Sequence, residues 1–183
     1  LYKSIGPLPP LLGSILEKHG FQATQGKEFH FLWCSQQVKG YFYRTLLRGQ
    51  RVNNFPRSWE CTRKDCLAKN MAKMAELHGK SHFDFVPQTF VLPDEIDQAI
   101  AAHARLGGPW ICKPAGSCQG RNIFITEDSS EFPAQRDKKS DDKYVLERYI
   151  TKPLLIDGFK FDLRIFVAIT GVKPLRIYRH SEG

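Results

Sequence analysis

The sequence lacks most of the features that would assign a class at a glance. No apolar run approaches the roughly 20 residues needed to cross a bilayer, and no secretory leader opens the chain, so neither a membrane span nor an exported state is expected. The 5 cysteines among 183 residues, Cys34, Cys61, Cys66, Cys112 and Cys118, are odd in number and form no CxxC pair. That pattern argues against a disulfide framework or a zinc ribbon and favours a reducing compartment. The histidines lack ligand spacing apart from His78 and His82, which Gly79 interrupts, so no metal site is expected. There is no internal repeat and no long low-complexity tract. Position 1 is not methionine, and "YRHSEG" follows a strand-like segment at the point where a further strand is expected to return, so the chain is expected to be a fragment.

Acidic residues are the scarcer charge. Asp and Glu number 19 against 27 Lys and Arg, a formal net charge of +8, with a pI near 9.3. An anionic partner is favoured: a nucleotide, a nucleic acid or an acidic protein surface. The aromatics sit inside apolar runs rather than interleaved with Lys and Arg on an exposed platform, which argues against nucleic acid.

The spacing of apolar residues predicts mixed secondary structure. "GPLPPLLGSILEKHGFQA" predicts a turn region leading into a short helix, and Phe29–Ser35 a strand. Thr62 is placed to cap a helix in which Cys66, Leu67, Asn70, Met71, Met74 and Leu77 recur at helical spacing, with the methionines filling core and Gly79 as the stop. "FDFVPQTFVLPDE" predicts an extended strand interrupted by Pro87, and Pro93 to Glu95 open a second helix to about Arg105. "WICKPAG" and "NIFIT" predict a hairpin, "SSEFPAQRDKKSDDK" a charged loop, and "YVLERYI", "KFDLRIFVAIT" and "LRIYRHS" strands.

Two features carry chemistry. Lys113 precedes a turn, residues 115–120, whose small residues let backbone N–H groups approach an anion closely. That is either a phosphate cradle or a solvated lysine beside an ordinary surface turn. Strict alternation over 160–164 predicts Lys160, Asp162 and Arg164 on one strand face and Phe161 and Leu163 on the other. Such a stripe is either a wet ladder of salt bridges or an occupied site.

In order and spacing, "NNFPRSWECTRKDCLAKNMAKM", "WICKPAGSCQGRNIFI", "YVLERYITKPLLIDGFKFDLRIFVAIT" and "PLRIYRHSEG" resemble the signature blocks of the tubulin tyrosine ligase-like family, from about Leu32 to Gly183. The resemblance implies a truncated α+β, ATP-grasp fold in which two sheets grip a nucleotide. It implies an N-terminal α/β domain at 1–52, a central domain at 53–143 and the start of a C-terminal domain at 144–183. It implies that Lys64 and Lys113 reach the phosphates, that Gln119 and Gly120 belong to the loop closing over them, and that Glu147, Arg148, Tyr149 and Ile150 form the hinge against which adenine lies. Lys160 and Asp162 match residues at phosphate and ribose, and Arg164 matches the arginine at the amino-acid substrate or the developing acyl-phosphate. Lysine suits phosphate as a mobile point charge, and arginine's planar fork suits a carboxylate. Glu147 stands where the family has Gln, and Asn122 where its loop has Gly.

The same resemblance implies ATP-dependent amide ligation with Mg²⁺, whose ligands are expected beyond Gly183, so that the chain alone should not turn over. It is most like the glutamate-adding branch: free glutamate and the acidic tails of tubulin are the implied substrates, with no nucleic acid and no membrane partner. The implied location is cytoplasmic, on the cytoskeleton, in a cilium or basal body. A noncatalytic relative that binds microtubules or nucleotide, and a tyrosine- or glycine-adding member, are the alternatives.

Overall fold

The computed structural model of the chain describes residues 1–133 and 143–182. It begins with a strand that the sequence did not signal, β1 (Tyr2–Ile5), followed by α1 (Pro10–Lys18) and β2 (Phe31–Cys34). β2 runs parallel to β1 with Tyr2 opposite Phe31, and β3 (Arg51–Val52) adds a third parallel strand on its other side. Only four residues of β1 precede the Gly-Pro turn, too few for a periodic pattern, and pairing with Leu32-bearing β2 makes it a strand. Beyond β3 the Asn53 side chain takes over the ladder, accepting from the Cys34 amide at 2.8 Å and donating to the Cys34 carbonyl at 3.0 Å.

Two helices follow in direct succession, α2 (Trp59–Thr62) and α3 (Lys64–His78). Thr62 does not cap α3 as expected: it closes α2, its hydroxyl donates to the Ser58 carbonyl at 3.1 Å, and the extended Arg63 occupies the cap position. Gly79 ends α3 with a positive φ of 98°, as expected. The predicted apolar stripe of α3 is not core. Leu67, Met74 and Leu77 are exposed, Cys66, Asn70 and Met71 are only half-buried, and Asp65 is the buried residue of the helix, whose Ala68, Met71, Ala72 and Ala75 line an open cavity with Val86, Pro87 and Thr89. The strand expected from Phe83 through Pro87 forms only at Thr89–Leu92, and Phe83 itself ends a 3₁₀ turn over Lys80–Phe83.

Then come β4 (Thr89–Leu92), α4 (Ile96–Leu106), β5 (Trp110–Pro114), β6 (Phe124–Thr126) and β7 (Tyr144–Arg148). They form an antiparallel sheet in the order β4-β7-β5-β6. The β5–β6 hairpin is the one expected, with Trp110 opposite Thr126 and Cys112 opposite Phe124. β7 is an inner strand, so the domain boundary expected at 143 falls one residue before a strand of this same sheet. In the loop expected over 129–143, Ser129–Glu131 form a 3₁₀ turn and Phe132 is buried, whereas 134–142, with Lys138 and Lys139, lie outside the described residues.

Register sorts the side chains of this sheet into two faces. Phe90, Leu146 and Cys112 form a row on one face, joined by Leu92 and Trp110 and packed against Ala99 and Ala102 of α4 and against Phe132. The two alanines let the helix approach closely, and this cluster is the main core. The opposite face carries two rows, Val91–Val145–Lys113 and Thr89–Glu147–Ile111–Ile125. Val91 and Val145 are buried beneath α3, whereas the Ile111–Ile125 side is open.

Two hairpins complete the chain: β8 (Leu155–Ile156) with β9 (Phe159–Lys160), and β10 (Val167–Val172) with β11 (Leu175–Arg179). The ribbon of β10 and β11 carries a bulge between Ile169 and Gly171, where a Cβ on Gly171 would stand 3.1 Å from the Pro174 carbonyl oxygen. The predicted strand over 160–164 stops at Lys160. Alternation marks a segment able to form a strand, but a ladder needs a neighbour, and 161–165 pairs with no strand among the described residues. The whole is a mixed helix-and-sheet architecture built from several small sheets.

Candidate functional site

The face of the four-stranded sheet that α3 only half covers gathers most of the residues singled out by sequence. Lys113 and Glu147, on adjacent strands and one register step apart, form an ion pair with about a quarter of each side chain exposed. Tyr149 lies two residues beyond Glu147, on the same side, and its amide donates to the Pro109 carbonyl at 3.0 Å, continuing the ladder past the end of β7. Over its ring sits the Lys160 ammonium, 5.8 Å from the centroid. The two lysines are therefore anchored on neighbouring positions of one stretch of chain, although 47 residues separate them in sequence.

At the other end of this face Lys64, first residue of α3, reaches across to the loop after β5. Its ammonium donates to the Pro114 carbonyl at 3.3 Å and to the Ser117 carbonyl at 2.5 Å. Together with Pro114, Cys118, Gln119 and Gly120 it lines a small cavity of about 90 Å³. Gln119 and Gly120 both have positive φ, 60° and 71°, and Asn122 follows at 56°. Asn is among the few residues with a side chain that tolerate this conformation, so Asn122 fits the turn without glycine. The Gln119 side-chain oxygen accepts from Arg121 at 2.9 Å, which ties the tip of the loop to its exit.

Asp65, next to Lys64, is the buried charge of α3. Burial pushes its carboxyl upward, but two hydrogen bonds from Arg63, at 2.8 and 3.1 Å, together with that charge and the Cys66 and Asp65 amides, hold it below the ordinary carboxylate value. The Arg63–Asp65 pair fixes the first turn of α3 and with it the position from which Lys64 extends.

Other expected site residues lie elsewhere. Arg148 alternates away from Glu147 and Tyr149 and is exposed, its amide donating to the Gln88 carbonyl at 2.9 Å, and Ile150 is exposed beyond the strand. Asp162 and Arg164 do not share a strand face with Lys160. They border, with Arg179 and His180, a separate open cavity of about 490 Å³, held together in part by the His180 amide donating to the Phe166 carbonyl at 2.9 Å. Among the described residues no group of three His, Cys, Asp or Glu could hold a metal ion.

The sequence did not single out Ile111 and Ile125. Their register beside Glu147 gives the charged end of the face an open apolar shelf, with Ile125 49% exposed although it lies in a strand. The signal was present in "WICKP", where Ile111 shares the parity of Lys113. Nor was the partner of Lys113 foreseen, because nothing in the sequence pairs residues 34 positions apart. The arrangement of mobile cations, a small-residue turn and an apolar shelf suits a ligand with an anionic chain and a flat apolar body.

Comparison with known proteins supplies the context. The model of the tubulin-tyrosine ligase family matches residues 44–183. Human tubulin polyglutamylase TTLL5 is 38% identical over 184 residues, covering 100% of this chain and 14% of the relative. Human probable tubulin polyglutamylase TTLL2 is 35% identical over 187 residues, 96% of this chain and 31% of the relative. Mouse tubulin polyglutamylase TTLL6 is 43% identical over 163 residues, 88% of this chain and 19% of the relative. The chain thus spans less than a third of the length of each of these relatives, but the family model covers most of it. From the signature blocks, the fold that carries them and the family match, the chain belongs to the tubulin-tyrosine ligase family.

Proposed function

We propose that the full-length protein is an ATP-dependent ligase that adds glutamate to carboxylates of the acidic tails of tubulin. The γ-phosphoryl group of ATP passes to the acceptor carboxylate, giving an acyl-phosphate and ADP. The amine of free glutamate then attacks the acyl carbon, forming the amide and releasing phosphate. The observation that carries this reading is the pair of lysines, Lys113 on Glu147 and Lys160 on Tyr149, anchored beside one apolar shelf. In the proposal adenine lies on Ile111 and Ile125 against the hinge of Glu147 and Tyr149, gripped between the four-stranded sheet and the strands after residue 150. Lys113 exchanges the Glu147 carboxylate for phosphate, joined by Lys160 and the loop of Gln119 and Gly120, with Lys64 bonded to the Pro114 and Ser117 carbonyls. Asp162 accepts from the ribose and Arg164 holds the substrate carboxylate or acyl-phosphate, so catalysis is charge neutralisation and positioning.

Mg²⁺ is expected with ATP, but the described residues supply no ligand set for it and no step here is routed through it. The formal charge of +8 supports capture of an acidic tail, with an encounter rate that falls as salt rises. The proposed location is the cytoskeleton, including that of a cilium. One observation favours a second reading, a noncatalytic relative that binds nucleotide or microtubules: Lys113 is already occupied by a carboxylate. A single assay separates the two. Full-length protein with ATP, Mg²⁺ and labelled glutamate is expected to label tubulin, and Lys113→Met to reduce the rate on the order of 100-fold. Absence of label with the unmodified protein, under conditions where ATP binds, overturns the ligase reading.

A further inference from the structure

The two carbonyl contacts of Lys64 do more than occupy its charge. In a trans peptide the N–H points opposite to the C=O of the preceding residue. With the Ser117 carbonyl turned onto the Lys64 ammonium at 2.5 Å, the Cys118 amide is turned away from α3. The neighbouring peptide obeys the same rule in a visible way: the Pro114 carbonyl meets Lys64 at 3.3 Å, while the Ala115 amide on its far side donates to the Lys143 carbonyl at 2.8 Å. The Gly116, Cys118, Gln119, Gly120 and Asn122 amides have no acceptor among the described residues, whereas those of Ala115, Ser117, Arg121 and Ile123 do. Three of them, at 118–120, are successive, and such a run of amides offers donors to an anion.

We propose that Lys64 is a positioning residue, a latch that sets the peptide plane between Ser117 and Cys118 and so aims the free amides of residues 118–120 at an anionic ligand. The assignment of that ligand as a nucleotide phosphate rests on the function proposed above; the latch itself does not. Losing two charge-assisted hydrogen bonds frees the loop, which opens on the order of tenfold more often.

The test uses full-length protein and mass-spectrometric peptide mapping. In Lys64→Met, tryptic cleavage after Arg121 is expected to quicken about tenfold, and Lys64→Arg, which keeps two donors, is expected to restore the slow rate. Cys34 and Cys112, both buried, must stay unmodified by maleimide, which distinguishes loop release from unfolding. Should Lys64→Met unfold, acetylation of the unmodified protein decides: the Lys64 amine is expected to react more slowly than the exposed Lys73 and Lys80. An unchanged rate of cleavage after Arg121 in a folded Lys64→Met, or a Lys64 amine as reactive as that of Lys73, overturns the latch. In a parallel calorimetric titration, ATP affinity is expected to fall about tenfold in Lys64→Met and recover in Lys64→Arg. If the unmodified protein binds no ATP, the nucleotide reading fails while the loop measurements still decide the latch.

Discussion

The sheet built from β4 to β7 and the ribbon of β10 and β11 contain similar residues in opposite circumstances. In the first, Leu92, Trp110, Cys112 and Leu146 are fully buried between strands and α4. In the second, Val167, Ile169, Val172, Leu175 and Ile177 are 40–63% exposed, although the two strands pair along most of their length. Backbone pairing is therefore common to both regions and does not by itself bury anything. Among the described residues, what separates them is a second layer. An antiparallel sheet gains stability from the apolar face it removes from water, at about 25 cal/mol per Å², and a two-stranded ribbon without a covering element gains little. The candidate site lies where these regimes meet: its rigid half is supported by the packed sheet, and its Lys160 half by a short hairpin.

The comparison can be broken most forcefully at Trp110. Trp110→Ala is expected to destabilise the chain by about 3–5 kcal/mol in denaturant unfolding. Trp110→Phe is expected to cost clearly less, since it retains an aromatic partner for Phe90 and removes an indole N–H that finds no acceptor among the described residues. Next in size is the Lys113–Glu147 pair, with side chains 24% and 23% exposed. Lys113→Met leaves a half-buried carboxylate without its partner and is expected to cost about 1–3 kcal/mol. Adding Glu147→Gln should recover part of that, and a double-mutant cycle with no coupling shows the pair to be idle.

A smaller effect tests the anchoring of α3. Because the folded-state carboxyl of Asp65 is held below its ordinary 3.8, its contribution is present above that value and is lost as pH falls through the lowered one. Asp65→Asn is expected to cost about 1–2 kcal/mol near neutrality, a difference that shrinks in unfolding curves collected below pH 4. A difference that instead grows on acidification contradicts the assignment. The smallest effect sharpens the contrast. Ile177→Ala in the ribbon is expected to change stability by no more than about 0.5 kcal/mol, and a cost comparable to Trp110→Ala removes the distinction between the two regions.

Elements whose formation depends on local pattern and nearby turn chemistry were legible. The β5–β6 hairpin has its own turn and its own apolar arms, and α3 and α4 end at glycines of positive φ. Elements that exist only through distant partners were not. β1 is a strand because β2 lies beside it, and residues 161–165 alternate correctly but pair with no strand among the described residues. The face of α3 was misread for a related reason: periodicity locates a stripe, but how much of it is covered depends on the elements that pack against the helix. Of the candidate site, residue types and loop position were legible, and Lys64, Lys113, Gln119, Gly120, Glu147, Tyr149 and Lys160 do gather along one face. Arg148 and Ile150 do not, and Asp162 and Arg164 border another cavity.

By itself the sequence determined the membership of the chain, its basic charge, its helix stops and the small-residue turn after Lys113, because each of these resides in residue chemistry or in neighbours a few positions apart. Only the tertiary structure decided that Lys113 is held by Glu147, that Lys160 rests on Tyr149 and that Lys64 grips the loop carbonyls. Those contacts depend on strand register and on one helix lying across one sheet, and an ammonium on a flexible stem takes whichever acceptor the fold brings within reach.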